Sequence, residues 1–290
     1  MCIRLKQKKI INPRSPLRFP GSKSRALNKF YLYLLYPHTE YREPFLGGGS
    51  LFLGKSLANI NWLNDKDEYV YNFWKVVQER PNELCNLIMQ PDNYPTVDFW
   101  LELKNTAPST DSLWNAFRFL FFNRTNYSGI HNANPIGGIN QNEDTTWKVD
   151  CRWNAKVLCD RIQECSKKFQ NANITSYDFE QIITAPGEDV LMILDPPYYH
   201  QGKNLYRVSM SNEEHEHLAL LLKETNHKFL LTIDNCDETR KLYSWAKFVA
   251  PTSWTYTINS KKKDNSGKEL LVSNFDITEE AHFFNIIKST

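Results

Sequence analysis

A run of five apolar residues, Val190–Leu194, constrains the fold of this 290-residue chain more than any other segment. A run this short and this uniformly apolar is typical of a strand buried on both faces, as in a parallel sheet covered by helices. The run is followed directly by Asp195-Pro196-Pro197-Tyr198. Because open α/β sheets bind ligands at the carboxyl ends of their strands, we expect these four residues to lie at a binding site.

The four residues after this strand offer three contacts that suit a planar base carrying an amino group. The prolines hold the chain extended and have no N–H group, so the Pro196 carbonyl can face outward as a free acceptor. Asp195 adds a second acceptor for the amino hydrogens, and the Tyr198 ring adds a face for stacking. A strand followed by a rigid turn, without a binding role, is the structural alternative.

Other segments of the chain alternate between strand and helix patterns. Further strands are expected near Tyr41–Glu43, Ile60–Asn64, Ile174–Tyr177, Phe229–Ile233, Val249–Thr257 and Leu270–Phe275. Helices are expected at Gly49–Ala58, Glu68–Gln78, Asn212–Thr225 and Glu238–Lys247. This alternation predicts an α/β fold with a mostly parallel, seven-stranded sheet and helices on both faces.

Residues 76–165 interrupt the alternation because they lack convincing strands. They contain two helical segments, Thr96–Lys104 and Thr110–Phe122, and then a polar stretch from Asn123 to Thr146. A loop this long within a compact fold is usually functional. We therefore predict a discontinuous domain of residues 1–75 plus 166–290, with a mainly helical insertion at 76–165.

Basic residues are concentrated in two places, although the net charge is only +2. Nine of them precede the first acidic residue, Glu40, and Lys261–Lys263 form a second group. Local basic patches can neutralise the phosphates of a nucleic acid along a groove. For residues 4–9 alone, a solvated arm that serves solubility explains the charge equally well.

Composition excludes several classes of protein, since 41% of the residues are apolar and 23% are charged, as in ordinary globular chains. No apolar run is long enough to span a bilayer, and the N-terminus has no signal-peptide pattern. We therefore expect a cytoplasmic protein that does not bind a membrane. The six cysteines show no CxxC pair and no His/Cys ligand spacing, so we expect reduced thiols and no structural metal.

A glycine-rich loop, Pro44–Ser50, lies between a predicted strand and a predicted helix. Glycines let the backbone approach a ligand closely, and a helix N-terminus favours negative charge. Asp65 ends the next predicted strand 18 residues after Gly47. This is near the ~20-residue spacing at which an acidic residue binds ribose hydroxyls. The alternative role for Asp65 is to cap the helix that follows.

Lys23 lies in a segment, Pro20–Ser24, that is only superficially similar to a phosphate-binding loop. The upstream glycine is missing and no strand precedes the segment, so we exclude a nucleoside triphosphatase. Lys23 could still attract a carboxylate as a point charge, or lie at the surface where a helix begins.

These motifs together resemble the Dam-like (D12 class) DNA adenine-N6 methyltransferases, in the order that this family shows. The matching segments are Leu17–Lys23, Glu43–Gly49, Leu63–Asp65, Phe122–Gly129, Ser176–Phe179, Asp195–Tyr198 and Lys268–Asn274. The resemblance implies a Rossmann-like methyltransferase sheet with an inserted target-recognition domain, and S-adenosyl-L-methionine as methyl donor. It also implies double-stranded DNA as partner, a prokaryotic or phage-encoded protein, and a cognate restriction endonuclease as functional partner.

The resemblance assigns residues to the methyl donor and to catalysis. The donor-binding residues are Phe19, Lys23, Pro44, Phe45, Gly47, Gly49, Asp65, Asp178 and Asp195. Asp65 would bind the ribose hydroxyls, Asp178 the adenine amino group, and Lys23 would lie near the methionine carboxylate. Asp195, Pro196 and Tyr198 would hold an adenine that is rotated out of the duplex, for direct in-line transfer. A helix cap is the alternative role for Asp178.

Seven residues of the insertion combine phosphate-binding, stacking and base-edge chemistry. They are Arg118, Arg124, Tyr127, Ile130, His131, Asn132 and Asn134. Ile130 or Tyr127 could wedge into the base stack, whereas solvation of a long loop is the alternative for about half of the set. Family members that methylate GATC carry a basic residue where this chain has Asn132, so that target is not carried over. The loop Tyr199–Leu205 is expected to close over the site or touch DNA, or else to be a plain connection.

Two other functions stay open from the sequence. An amino-methyltransferase acting on cytosine N4 or on a protein side chain would share the tetrapeptide, although aspartate at its first position favours adenine. The second is a DNA-binding regulator without catalysis, against which the intact Asp195–Tyr198 and Asp65 argue.

Overall fold

The computed structural model describes residues 13–19, 21–200, 207–255 and 266–275. Residues 4–9, Lys261–Lys263 and most of the loop Tyr199–Leu205 lie outside these ranges, so the predictions made for them stay predictions. No helix in the described ranges has the length and apolar character needed to cross a membrane.

Helices and strands alternate along the described chain. The strands are β1 (Glu40–Glu43), β2 (Ile60–Asn64), β3 (Asn173–Thr175), β4 (Val190–Leu194), β5 (Lys228–Asp234), β6 (Phe248–Thr255) and β7 (Ser266–Ser273). The α-helices are α1 (Leu27–Leu34), α2 (Ser50–Gly54), α3 (Glu68–Glu79), α4 (Pro81–Met89), α5 (Val97–Asn105), α6 (Ser112–Thr125), α7 (Ala155–Phe169), α8 (Phe179–Thr184), α9 (Asn212–Glu224) and α10 (Asp237–Leu242). Short 3-10 helices occur at Lys23–Arg25, Pro91–Asn93 and Tyr127–Gly129.

The strands form one seven-stranded sheet in the order β3-β2-β1-β4-β5-β7-β6. Neighbours among β1 to β5 pair in parallel, whereas β7 lies antiparallel between β5 and β6. This confirms the predicted α/β fold with a mostly parallel seven-stranded sheet. The strand order reverses between β1 and β4, because the chain runs outward from β1 to β3 and then returns to the other side of β1. Open α/β sheets form their ligand crevice at such a reversal.

The central strand β4 is buried at all five positions, between apolar clusters on opposite faces of the sheet. Leu191 and Ile193 face the first cluster, whereas Met192 and Leu194 face the second. Because side chains alternate across a strand, a strand covered on both faces must be apolar throughout. Each of these side chains stabilises the fold by roughly 1.5–3 kcal/mol. Their burial fixes where the chain leaves the sheet at Asp195.

The helices of residues 76–165 pack onto the first apolar cluster. Phe117, Leu120 and Phe121 of α6 belong to the same cluster as Leu191 of the central strand. No strand occurs among these residues, in agreement with the sequence pattern. Helix α7 runs across the predicted boundary at 165/166, and the division into two domains stays a prediction.

Some elements differ from those predicted. Helices α4 and α7 were not expected, although α7 has apolar residues at helical spacing along its buried face, at Leu158, Ile162, Cys165 and Phe169. The predicted helix Glu238–Lys247 ends at Leu242, where the chain turns towards β6. Strand β7 begins at Ser266 rather than near Leu270, because its pairing with β6 extends that far.

Candidate active site

A pocket lies where the strand order reverses, between the carboxyl ends of β1 and β4. We call it the β1–β4 pocket. The predicted site residues that line it are Phe19, Lys23, Phe45, Gly47, Asp65 and Asp195. A larger cavity of about 600 Å³ lies at the amino ends of β4 and β5, and none of the predicted site residues lines it.

Two hydrogen bonds fix the side chain of Asp195, which directly follows the carboxyl end of β4. Lys23 Nζ donates to Asp195 Oδ1 over 2.6 Å, and Thr232 Oγ1 donates to the same oxygen over 2.7 Å. The Lys23 side chain is 1% exposed, whereas that of Asp195 is 21% exposed. Within the described chain no group donates to Asp195 Oδ2 or to the Pro196 carbonyl. Asp195 lines the pocket, so its Oδ2 can accept a hydrogen bond from a ligand, whereas Pro196 is buried and does not line the pocket.

Glu269 of β7 completes this polar cluster. Its Oε1 accepts a hydrogen bond from the Tyr198 hydroxyl over 2.5 Å, and its Oε2 lies 3.6 Å from Lys23 Nζ. Burial and the charge of Asp195 raise the pKa of Glu269 to about 7, while Lys23 and Tyr198 oppose the shift. The Tyr198 ring is only 6% exposed, and Pro197 rather than Tyr198 lines the pocket.

Asp65, which directly follows β2, fixes the glycine-rich loop in position by a hydrogen bond. Its carboxylate accepts hydrogen bonds from the Gly47 N–H over 2.7 Å and from the Asp67 N–H over 2.9 Å. Burial raises the pKa of Asp65 to about 7 in spite of these two bonds. The side chain that caps α3 is Asp67, which accepts from the Tyr69 N–H, so the alternative role of Asp65 as a helix cap is wrong.

Asp178 caps helix α8 in a capping box with Gln181, which confirms the helix cap given above as its alternative role. It also accepts a hydrogen bond from Lys66 Nζ over 2.9 Å. Partial burial acts to raise the pKa of Asp178, but the bonds from Lys66 and the Glu180 N–H outweigh it and lower the pKa. The next residue, Phe179, lines the β1–β4 pocket.

The glycine-rich loop is folded closely against its neighbours. Gly47 has φ +48°, a conformation that favours glycine, and a Cβ there would lie close to the Phe19 ring, at 3.0 Å. Gly49 caps α2, also at positive φ. The buried Pro44 has a structural contact, since its carbonyl accepts a hydrogen bond from Asn64 Nδ2. The Phe45 ring lies in the pocket, 5.7 Å from the Phe179 ring.

Arg207 connects the pocket to the insertion. Its guanidinium carbon lies 3.7 Å from the centre of the Tyr69 ring, and its Nε lies 3.7 Å from Asp67 Oδ1. Its Nη1 also contacts His131 Nε2 at 2.9 Å. Desolvation, with the charge of Arg207, lowers the pKa of His131 to about 4, so the imidazole is neutral near pH 7 and accepts this bond.

The two predicted arginines of the insertion have different surroundings. Arg118 Nη2 donates to the carbonyls of Leu103 and Thr106 at the end of α5, so its guanidinium is bound to protein backbone. Arg124 is half-buried, and its Nε has no hydrogen-bond partner in the described chain.

The other five predicted DNA-binding residues lie on one loop after α6. Tyr127 is 58% exposed; His131, Asn132 and Asn134 are exposed, and Ile130 is half-buried. Asn126 fixes the loop from beneath, since its Nδ2 donates to the carbonyls of Ile130 and His131. The loop thus presents aromatic, amide and imidazole groups to solvent from a rigid base.

Most of the chain matches one protein family. The model of the family described as D12 class N6 adenine-specific DNA methyltransferase matches residues 19–258. The chain belongs to this family. The matched residues include the β1–β4 pocket from Phe19 to Asp195 and every strand except β7.

Named relatives of this D12 class chain agree with the family. A DNA N-6-adenine-methyltransferase of Escherichia phage P1 is 26% identical over 269 residues, which are 88% of this chain and 34% of the relative. The chain thus spans about a third of the length of the phage protein. Type II methyltransferase M1.LlaDCHI of Lactococcus lactis subsp. cremoris is 24% identical, over 67% of this chain and 69% of the relative. Type II methyltransferase M.CviBI of Paramecium bursaria Chlorella virus NC1A is 23% identical, over 78% of this chain and 85% of the relative.

Several residues that line the D12 class pocket or bind Asp195 and Tyr198 from behind it were not predicted from the sequence. They are Lys66, Asp67, Arg207, Met210, Thr232 and Glu269. Glu269 lies in the predicted closing segment Lys268–Asn274, where it directly precedes the apolar run Leu270–Val272. For Thr232 no such signal exists, because only the pairing of β5 with β4 brings it to Asp195.

One group of side chains in the described ranges has the ligand types of a metal site. His200, Cys236 and Glu238 bring their ligand atoms within 4.8 Å of one another at the protein surface. The expectation of no metal stays a prediction.

Proposed function

We propose that this chain transfers the methyl group of S-adenosyl-L-methionine to N6 of an adenine that is rotated out of double-stranded DNA. One observation carries the proposal. The Asp195 carboxylate, at the reversal of strand order, has Oδ1 bound to Lys23 and Thr232 and keeps Oδ2 available to a ligand. A carboxylate held in this way is a fixed acceptor for an amino group.

The residues of the β1–β4 pocket fit the methyl donor. Asp65 presents a carboxylate where nucleotide-binding α/β folds accept hydrogen bonds from ribose hydroxyls. Phe19, Phe45 and Phe179 offer apolar surface for an adenine ring. When bound, the donor supplies a methyl group on a positively charged sulfur. We propose that Asp178 accepts a bond from the donor's adenine amino group while it keeps its contact with Lys66.

We propose that Asp195 and Pro196 orient the target. The Asp195 carboxylate and the Pro196 carbonyl accept the two hydrogens of N6, which draws the nitrogen lone pair out of conjugation with the ring. The lone pair then forms the N–C bond as the C–S bond breaks, and the electron pair of that bond stays on sulfur. Asp195 stabilises the positive charge that develops on N6, which one preorganised group typically does by roughly 3–4 kcal/mol. The amine then loses its proton to solvent.

The roles of Lys23 and Tyr198 follow from their contacts. Because Lys23 is buried and donates to Asp195, we propose that it positions the carboxylate, besides lying near the methionine carboxylate of the donor. The small exposed edge of Tyr198 limits the stacking surface for the target adenine. We therefore assign its hydroxyl the further role of holding Glu269 in place.

The insertion at 76–165 is our proposed target-recognition domain. Its exposed loop presents Tyr127, His131, Asn132 and Asn134, whose amide groups can pair with base edges and whose ring can fill the gap left by the target base. Since two relatives are named type II methyltransferases, we also propose a cognate restriction endonuclease as functional partner.

Transfer of a labelled methyl group tests the proposal. Purified protein is incubated with labelled S-adenosyl-L-methionine and duplex DNA, and the DNA is digested to nucleosides. We expect the label in N6-methyladenine, and Asp195→Ala to lose nearly all transfer while its fold, followed by thermal unfolding, is retained. Label in N4-methylcytosine or in protein would contradict the assignment, as would more than a tenth of the wild-type rate in the variant. Absence of donor binding by calorimetry would favour a non-catalytic DNA-binding regulator.

A further inference from the structure

Four arginines from separate segments lie close enough for their charges to interact, and one of them, Arg18, directly precedes Phe19 of the β1–β4 pocket. We call them the arginine cluster: Arg18, Arg124, Arg152 and Arg161. The positive charges of Arg18, Arg152 and Arg161 all lower the pKa of Arg124, and the charge of Arg152 lowers the pKa of Arg18. The segment before the pocket, the end of α6, the turn before α7 and α7 itself each contribute one guanidinium group.

The backbone geometry fixes this arrangement. Asn123, next to Arg124, accepts a hydrogen bond from the Arg18 N–H over 2.7 Å and donates one to the Arg18 carbonyl over 2.9 Å. The same carbonyl lies so close to Gly129 that any Cβ there would be 2.4 Å from it. Arg18 directly precedes Phe19, whose ring lines the pocket. Arg18 and Arg124 are therefore held at a fixed position next to the pocket.

The arginine cluster has no carboxylate partner within the described ranges. None of the four guanidinium groups forms an ion pair with a described carboxylate within 4.0 Å. Arg18 Nη1 and Arg124 Nε are buried, and no described residue forms a hydrogen bond with either atom. A buried donor without a partner typically costs about 1–3 kcal/mol, and more when it is charged. Desolvation and the neighbouring charges lower the pKa of Arg124 to about 9.

Such a cost is offset when an anion binds. Guanidinium groups form paired hydrogen bonds with phosphate oxygens, and several of them can surround one or two phosphates. The exposed Arg152 and the half-buried Arg161 make the cluster accessible from solvent, while Arg18 and Arg124 form its floor. The cluster thus has the chemistry of a phosphate site.

We propose that the arginine cluster binds the DNA phosphodiester backbone beside the target base. This inference rests on the proposed function, because that function supplies DNA as the partner. Arg124 was expected to bind DNA from the sequence, whereas Arg18, Arg152 and Arg161 are new assignments. Phosphates held here anchor the strand at the edge of the pocket, while the bases are read elsewhere.

The salt dependence of DNA binding tests this proposal. Each phosphate that a protein neutralises contributes about 0.9 to the slope of log K against log salt concentration. We expect Arg18→Gln, Arg152→Gln and Arg161→Gln each to weaken duplex binding at low salt and to reduce the slope by about 0.9. The control is Arg80→Gln, which removes the same charge from a guanidinium paired with Glu83 and should leave the slope unchanged.

The outcomes separate this proposal from the proposed function. Slopes equal to that of the Arg80→Gln control in all three variants overturn the phosphate site, even when adenine methylation is intact. Loss of inorganic phosphate binding with an unchanged DNA slope also overturns it, in favour of a small-anion site. If Arg18→Gln does not fold, the exposed Arg152→Gln and an Arg18→Lys variant, which keeps the charge and should keep the slope, still decide the question. A reduced slope without methyl transfer would support the site and contradict only the catalytic role.

Discussion

Lys23 donates a hydrogen bond from Nζ to Asp195 Oδ1 over 2.6 Å, although 172 residues separate the two in the chain. Thr232 donates to the same oxygen from the neighbouring strand β5. The carboxylate is therefore oriented by two donors on one side and keeps its other oxygen for a ligand. Preorganisation of this kind makes an acceptor effective when charge develops opposite it.

Replacement of Lys23 distinguishes its two proposed roles. If Lys23 mainly positions Asp195, Lys23→Met should lower kcat by about 10²-fold or more and change donor affinity much less. Thr232→Val removes the other hydrogen bond to Asp195 Oδ1 without altering the pocket for the methyl donor. It should therefore lower kcat in the same manner but to a smaller extent. Single-turnover transfer and calorimetry measure the two quantities. A fall in donor affinity alone for Lys23→Met would assign Lys23 to the methionine carboxylate instead.

Donor binding should become tighter as pH rises from about 6 to 8. The pKa of Asp65 is raised to about 7, and only the ionised carboxylate accepts bonds from two ribose hydroxyls. Below pH 7 binding must remove a proton, which costs up to about tenfold in affinity for each pH unit. Asp65→Asn should bind more weakly at pH 8 and lose this dependence. Calorimetry at pH 6, 7 and 8 checks it, and a flat wild-type profile would contradict the role of Asp65.

Glu43 should make the fold less stable at higher pH. Burial raises its pKa to about 8, although the Tyr41 hydroxyl donates to it over 2.8 Å. The folded state therefore holds a proton that the unfolded chain releases near pH 4.3. The contribution of Glu43 to the free energy of unfolding is fully present below about pH 4.3 and is lost as the pH rises towards 8. Urea unfolding at pH 5 to 8 should show a steeper fall for wild type than for Glu43→Gln, and parallel curves would refute this.

The contact between Arg207 and His131 should couple the pocket to the recognition loop. We expect the effects of Arg207→Ala and His131→Ala on kcat/KM for DNA to be non-additive by roughly 0.5–3 kcal/mol, as for residues in contact. The double variant completes the cycle. Additive effects to within about 0.5 kcal/mol would mean that the contact is not formed in the working enzyme.

The sequence predicted the elements whose signals are local. The apolar run of β4 and the capping pattern at Asp178 can each be interpreted within a few residues, and the structure agrees with both. Of the tetrapeptide, Asp195 and Pro197 line the pocket, whereas Tyr198 is buried beside it. Thr232 and Glu269 could not be predicted as neighbours of Asp195, because strand order and register alone bring them there. Arg118 shows the same limitation, since its backbone acceptors lie on a different helix.

Strand β6 pairs only with β7 among the described strands, and β7 enters the sheet between β5 and β6. During synthesis, a ribosome that has completed β6 has therefore produced a strand whose partner does not yet exist. The glutamate that meets Tyr198 arrives on the same late strand. Newly made chains should thus complete the polar cluster of Lys23, Asp195, Tyr198 and Glu269 only after β7 has been synthesised.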